Sequence, residues 1–572
     1  MGRAGDGSPE AEGPGRAAGE GDGDAPDFAR AIRALPAGAL FLFLGDSITE
    51  QNLYTAYFEL YVRSRWQPWI FRFVNVGWGG HRAGDALGRL QRDVLVRRPD
   101  VVTVCFGMND GEYRAPDRAV LRTYRRDLDL LVRRLLEAGT AHVVVLSPPP
   151  VDLDAAPHLA QVRYNDTLEG LTSAAAEVAQ ARGCRFVDLF HPLLRAMRLA
   201  KSVRPQFCVV PDGVHPAPAG HLAMAYHLLA GLGLVVPAAS ATIDAAAGQV
   251  LRTDACVVSD LTSDQRGVRC TLAADAPPFP LPEDAADAAV LVPWGEELGH
   301  NLLSVVGLRP GRYGVYSGPD PLGDWSAEEL RRGVPIHVRP AVATRWHAAL
   351  DLARRRFDDH LFAWRRLDPG VAGPEAGGTA DVLRAYLRLG DAQEAALRAL
   401  LRPLPLPLEV VPQVALRFAR WEVAGPYPLQ GRDGYGAEFP PERGEPAPWT
   451  EAASPRPADG FLDFGRLFGG MQQAAAYARC RLHVPGEAVL RLRLGSDDGW
   501  KLWVGGRFVG GRDVYRGAAP DQDRIEVPVA AGWNDILLRV NNGAGDWQLF
   551  CAGAVTGLDP GAEGEVRLAA GG

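Results

Sequence analysis

Between Ala39 and about Leu234, short apolar runs alternate with longer stretches in which apolar residues recur every three or four positions. The runs are LFLFLG (40–45), FRFVNVG (71–77), DVVTVCFG (100–107), HVVVLSPPP (142–150) and CRFVDL (184–189), bounded by Gly or Pro and rich in β-branched or aromatic residues. That is the pattern of buried strands. Between two of them, Arg122 to Ala138 brings Tyr124, Leu128, Leu131 and Leu135 onto one helical face. Strands separated by helices predict an α/β fold, a flavodoxin-like parallel sheet covered by helices on both sides. Ligands of such sheets bind beyond the carboxyl ends of the strands, so chemistry is expected there.

After residue 236 the pattern changes. Residues 237–340 hold short strand-like pieces (QVLRTDACVV, GVRCTLAA, AAVLVPW, GRYGVYSG) with Pro-rich breaks, which predicts a small β region. Residues 341–402 turn helical, in TRWHAALDLARRRFDDHLFAWRRL and TADVLRAYLRLGDAQEAALRALL. The proline-rich joint RPLPLPLEVVP then opens 403–572, where strands alternate with Gly, Asp and Asn turns, the pattern of an all-β sandwich. Residues 1–27, rich in Gly, Ala, Glu and Asp, predict a disordered leader without the apolar centre of a secretory signal. The expected organisation is therefore leader (1–27), α/β domain (28–236), small β region (237–340), helical region (341–402) and β-sandwich (403–572).

Composition narrows the function classes. A hydrophobic fraction of 47% with 23% charged residues suits a soluble globular protein. A net charge of −8 gives no electrostatic attraction to nucleic acid or an anionic membrane, and runs such as Arg354–Arg355–Arg356 read as solvated helix faces. No stretch approaches the ~20 apolar residues of a membrane span. Location stays unknown, with cytoplasmic as the default. The seven cysteines (Cys105, Cys184, Cys208, Cys256, Cys270, Cys480, Cys551) form no CxxC and no zinc-like cluster, so no metal or cofactor is expected. Cys256 with Cys270, or Cys480 with Cys551, could pair in an exported protein.

The candidate chemistry lies at the strand ends. The first strand closes in Gly45-Asp46-Ser47-Ile48-Thr49 and the second in Asn75-Val76-Gly77-Trp78-Gly79-Gly80. The third closes in Gly107-Met108-Asn109-Asp110, and a later loop reads Asp212-Gly213-Val214-His215-Pro216. Ester hydrolysis needs a hydroxyl nucleophile, a base, an acid that orients the base, and donors aimed at the oxyanion.

These four blocks, in this order, resemble those of SGNH (GDSL-type) hydrolases over about Leu40 to Leu234. The resemblance implies Ser47 as nucleophile and oxyanion donor, Gly80 and Asn109 as further oxyanion donors, His215 as base and Asp212 as its orienting acid. Ile48 stands where the family name has Leu. His81-Arg82 follows Gly80 where many relatives carry a small polar pair, which leaves Gly79 as the alternative donor. Asp46 and Asp110 are expected to bond local backbone, and His142, His158, His191 and His221 to be structural. Trp78 either lines the acyl pocket or packs against the sheet.

Further along, Gly495 to Val504, Trp533-Asn534 and Asn541-Asn542-Gly543 are similar to β-sandwich modules of the protective-antigen type and to jelly-roll modules attached to carbohydrate-active enzymes. Asp497 and Asp498 fit a β-turn, a calcium site or a sugar contact. Trp500, Trp503, Trp533 and Trp547 fit either sandwich core or a sugar-stacking platform. Residues 308–336 resemble the segment that follows the hydrolase domain in some large bacterial GDSL-type proteins, and a role in covering or shaping the cleft is the expectation there. Together these imply a metal-independent serine esterase that acts through an acyl-enzyme on a small acyl ester, an acetylated glycan in particular. The alternatives are a lipid or lysophospholipid esterase, an acyltransferase, or a glycan-binding protein with an inactive hydrolase domain. Because all four blocks end by Pro216, the C-terminal sandwich is expected to support substrate engagement and to stand apart from the catalytic machinery, while the regions between 238 and 402 could pack over the cleft and complete its wall.

Overall fold

The computed structural model describes residues 25–65, 71–236, 239–336, 340–367, 380–429 and 434–570. The leader expected over 1–27 lies outside the described residues up to 24, and its last three residues open a helix, Ala25–Arg33.

Five strands form one wholly parallel sheet: β1 (Leu40–Gly45), β2 (Arg72–Asn75), β3 (Val101–Cys105), β4 (His142–Leu146) and β5 (Arg185–Val187). Their order is β2-β1-β3-β4-β5, the doubly wound arrangement whose strand order reverses between β1 and β3. Each strand falls in one of the five apolar runs. Every residue of β1 and β3 is buried, as expected for strands covered on both faces. A ring cluster fills one side, where Phe41 lies 5.0 Å from Phe58, 5.4 Å from Phe43 and 5.7 Å from Phe73. Each fully buried ring of this kind contributes about 1.5–3 kcal/mol of burial free energy. On the other side the helix Arg118–Glu137 starts at Asp117, whose carboxylate accepts from Ala119 N–H, and it buries Tyr124, Leu128, Leu131 and Leu135.

The chain divides into two compact units whose residues interleave along the sequence. The first comprises 1–237, 281–298 and 345–402, and the second comprises 238–280, 299–344 and 403–572. The helical stretch read from sequence as a region of its own thus shares a unit with the parallel sheet. Its helices Pro340–Phe362 and Ala380–Leu400 cover Leu53–Arg65, a helix buried from Leu53 through Ser64. The cover explains why that helix tolerates charge inside. Glu59, fully buried, bonds Arg63 at 2.7 Å and also pairs with Arg356, while Arg63 forks onto Glu394 at 2.5 and 2.8 Å.

The second unit is mainly antiparallel. A four-stranded sheet contains Ser240–Asp244, Gln249–Asp254, Asn301–Val306 and Val334–Ile336, with Ser240–Asp244 and Asn301–Val306 parallel. Sheets of nine and seven strands hold the C-terminal region, and a core that includes Trp421, Trp500, Leu538 and Trp547 is buried among their residues. Trp500 and Trp547 are therefore core, Trp503 is half-buried, and Trp533 is exposed. One expected strand piece, AAVLVPW, is instead a short helix, Ala288–Leu291, within the 281–298 stretch of the first unit. Its alanines favour a helical turn, and no neighbouring strand offers it a ladder. The seven cysteines are free thiols. Among the described residues no helix is long and apolar enough to cross a membrane, and no cluster of His, Cys, Asp or Glu could hold a metal.

Candidate active site

The site begins where β1 gives way to a single helical turn, Ser47–Glu50. Asp46 caps that turn by accepting from Ile48 N–H at 3.0 Å. The turn sits close against the sheet. A side chain at Gly45 would meet Thr49 Oγ1 at 2.1 Å and the Cys105 carbonyl oxygen at 2.8 Å, so only glycine fits. At the first position of the turn the Ser47 N–H has no intrahelical acceptor.

Ser47 Oγ lies 2.9 Å from His215 Nε2, and His215 Nδ1 lies 2.7 Å from Asp212 Oδ2. Asp212 is held by its own loop, its Oδ1 accepting from Val214 N–H at 2.9 Å and His215 N–H at 2.6 Å. Burial opposes charge on Asp212, but the hydrogen bonds from the His215 backbone and ring and from Val214 prevail and hold its carboxyl below the usual range. The three side chains form an uninterrupted hydroxyl–imidazole–carboxylate chain. Such a chain can move a proton off Oγ as the oxygen attacks a carbonyl.

The second block builds the neighbouring wall. Asn75, fully buried, donates from Nδ2 to the Thr49 carbonyl at 2.6 Å and to Asn52 Oδ1 at 2.7 Å, and its Oδ1 accepts from Gly77 N–H at 2.8 Å. It thereby joins the second strand end to the nucleophile turn. The Gly79 N–H is occupied, donating to Glu50 Oε2 at 2.6 Å. Among the described residues the Gly80 N–H meets no acceptor, and Gly80 takes a φ of +75° that glycine adopts without strain. Of the two candidate glycines, Gly80 is the one with a donor to spare.

Asn109 stands at the end of β3. Its Oδ1 accepts from the Tyr113 hydroxyl at 2.9 Å and its Nδ2 donates to the His81 carbonyl at 3.1 Å, which orients the amide and leaves one N–H. Tyr113, at a left-handed φ of +52°, stacks on Tyr164 with ring centres 5.2 Å apart. Burial, aided by the charges of Asp46 and Asp212, pushes its phenol up to about 12, so at neutral pH it is a donor. Asp110 accepts from Gly107 N–H and Ala83 N–H at 3.0 Å each, and burial raises both Asp46 and Asp110 to about 7. Both aspartates therefore hold local backbone, as read from the sequence. His221 is buried, bonds Gln51 at 2.7 Å and is pushed down to about 3 by burial.

Trp78 packs. Its ring stacks on His81 at 5.2 Å, meets Trp364 edge-on at 5.9 Å, and carries the Arg365 guanidinium 4.3 Å from its centre. Arg365 also pairs with Glu50 Oε1 and donates to the Gly77 carbonyl. A residue beyond the four blocks, from the helical region, thus reaches the loops that carry them. Glu50, Tyr113 and Arg365 were not read as site residues. Glu50 had a signal, being an acid three residues after the serine, whereas Arg365 had none.

Residues 43–223 match the model of the GDSL-like Lipase/Acylhydrolase family. The acetylxylan esterase of Geobacillus stearothermophilus is 23% identical over 220 residues, which cover 34% of this chain and 95% of that esterase. A solved structure, that of a gut microbial diltiazem-metabolizing enzyme, aligns over 66% of this chain and 98% of its own, with 21% identity and a TM-score of 0.56. The last likeness is one of fold and extends well past the parallel sheet. The chain carries a GDSL-like acylhydrolase domain and is a carboxylic ester hydrolase.

Proposed function

We propose that the enzyme cleaves small acyl esters through an acyl-enzyme on Ser47, with acetyl groups on a carbohydrate as the substrate class. The observation that carries this reading is the Ser47–His215–Asp212 chain, with its links of 2.9 and 2.7 Å. In the first half-reaction Ser47 Oγ bonds to the ester carbonyl carbon while its proton passes to His215 Nε2. The carbonyl oxygen becomes an oxyanion, and on this reading it accepts from the Ser47 N–H, the Gly80 N–H and the second Nδ2 proton of Asn109. Collapse breaks the bond to the alcohol, which takes the proton from His215 and leaves. Water then gives a proton to His215 and attacks the acyl carbon, and release of the carboxylic acid returns the proton to Ser47.

The carbohydrate reading is supported by the acetylxylan esterase relative and by a cleft of about 450 Å³ in the second unit. There the half-buried rings of Trp449 and Trp503 lie among Arg479, Arg481 and Asp535, a mixture of flat apolar faces and polar edges suited to sugar rings. On this reading residues 403–572 are a glycan-engaging sandwich of the protective-antigen type. The test is to quench the enzyme in acid during turnover of p-nitrophenyl acetate and to map acetyl groups by mass spectrometry. Acetylation on the peptide carrying Ser47, absent from Ser47→Ala, is the expected result, together with faster release of acetate from acetylated xylo-oligosaccharides than from long-chain esters. Turnover without a Ser47 adduct would overturn the mechanism. A preference for long acyl chains would overturn the substrate class.

A further inference from the structure

We propose that Glu50 and Arg365 are positioning residues for ester cleavage, a pair that holds the loop Gly77–Gly80 in the geometry that presents its last N–H to the oxyanion. The inference rests on the acyl-enzyme reading above and adds a control element that lies 315 residues from Glu50 along the chain.

The loop is poorly equipped to hold its own shape. Three of its four residues are glycines, which accept many backbone conformations. Its first half is pinned by Gly77 N–H to Asn75 Oδ1 at 2.8 Å and Trp78 N–H to the Gly45 carbonyl at 3.0 Å, and further restraint comes from two side chains. Glu50 closes the helical turn that Ser47 opens, and one of its carboxylate oxygens accepts from Gly79 N–H at 2.6 Å. The other oxygen pairs with Arg365 Nη1, while Arg365 Nη2 donates to the Gly77 carbonyl and the guanidinium plane covers the Trp78 ring at 4.3 Å. One arginine therefore contacts two successive loop residues and the acid that holds a third. The fork geometry of guanidinium suits this, and a lysine ammonium could not make both planar contacts and the stack together.

The arrangement also selects the donor. With the Gly79 N–H bound to Glu50 at 2.6 Å, Gly80 is the glycine whose N–H stays free for the oxyanion, and the residue beside that donor is tied to the turn that Ser47 opens. Without Arg365, Glu50 loses the partner that keeps its carboxylate against the loop. The two side chains are only 21% and 31% exposed, so the pair is shielded better than a surface ion pair. Misplacement by about 1 Å, even from a residue remote from the reacting atoms, can cost on the order of 100-fold in rate.

The test uses the full chain. Arg365→Ala is expected to lower kcat for p-nitrophenyl acetate roughly 10- to 100-fold while KM shifts less than about twofold, because an oxyanion donor matters most in the transition state. Low-millimolar guanidinium ion should restore part of the rate, and Arg365→Lys should restore less than the native side chain. Glu50→Ala should show a similar loss to which Arg365→Ala adds little. Glu50→Gln, whose amide oxygen still accepts from Gly79, should lose less. Independently of turnover, amide hydrogen exchange over 76–82 should speed up in Arg365→Ala. Unchanged exchange with kcat within about twofold of wild type, or losses that multiply in the double variant, would overturn the pair. A fall in melting temperature with normal kcat in the folded protein would also overturn it. If wild type neither turns over esters nor acquires an acetyl group on Ser47, the acyl-enzyme reading fails instead, and the exchange measurement still decides whether the pair holds the loop.

Discussion

Asp212 reaches His215 across three residues of one loop, whereas Glu50 reaches Arg365 across 315. Both are carboxylates that orient a nitrogen group beside Ser47, yet they belong to different layers of the molecule. The first is local and half-open to water, the Asp212 side chain being 56% exposed. The second draws its arginine from the helical cover, whose Arg356 and Glu394 also pair with the fully buried Glu59 and with Arg63. On the proposed reading, the reacting groups are set by short strand-end loops, while distant helices hold those loops and the helix behind them in place. Chemistry and support should then come apart under mutation.

The largest effect expected is on chemistry alone. Ser47→Ala should lower turnover by at least roughly 10⁴-fold, with a melting temperature within ~2 °C of wild type because no buried contact of size is lost. Asp212→Ala should be milder, since water can reach His215 Nδ1 in its place. If the two substitutions were equally tolerated, the roles would be misassigned. The converse variant is Glu59→Ala. It leaves Arg63 and Arg356 without their buried partner, and unfolding in denaturant should show a loss of about 3–5 kcal/mol, with kcat changed less than about threefold where the protein is still folded. Equal damage to stability and kcat would merge the two layers and break the comparison.

Asn109→Ala should lower kcat by roughly 10²–10³ if its spare N–H serves the oxyanion. A change confined to KM would assign it to substrate positioning. The smallest effect concerns pH. His360, in the cover, is pushed down to about 3 by burial and by Arg97 and Arg356, whereas the unfolded chain takes up that proton below 6.5. The stability it permits is full above 6.5 and is lost as pH falls toward 3, so unfolding takes up one proton in between. His221 and His227, pushed down to about 3 and about 4, act with the same sign. Asp46 and Asp110, raised to about 7, act oppositely, since their contribution is full below 3.8 and is lost as pH rises through 7. His360→Gln should flatten the acid limb of stability against pH by about 1.4 kcal/mol per pH unit between 4 and 6. An unchanged limb would mean that His360 is charged in the folded protein.

What could be read from the sequence follows the same division. The five strands were legible because burial on both faces demands unbroken apolar runs, and Ser47, Asn109, Asp212 and His215 because strand-end chemistry comes in short words. Arg365 was illegible. It is one arginine among many in a helical stretch, and its meaning depends on which carbonyl and which ring it faces after folding. The AAVLVPW segment misled for a related reason, since its apolar run carries no period and only its neighbours decide between strand and helix. Nothing in the sequence sets Glu59 and Arg63, an i,i+4 pair, apart from surface charges, and it is the fold that buries them.

The interleaving of the two units bears on how the protein is made. Unit one receives its first 237 residues early but its last piece only at Arg402. At a synthesis rate of about 5–20 residues per second, the 165 residues from Ala238 to Arg402 take roughly 8–33 seconds to translate. Throughout that interval the nascent sheet exists with Glu59 and the Leu53–Arg65 helix lacking their eventual cover. A ribosome that stalls in this stretch leaves an uncovered apolar helix attached to a nearly complete catalytic loop set, a species that chaperones would be expected to engage.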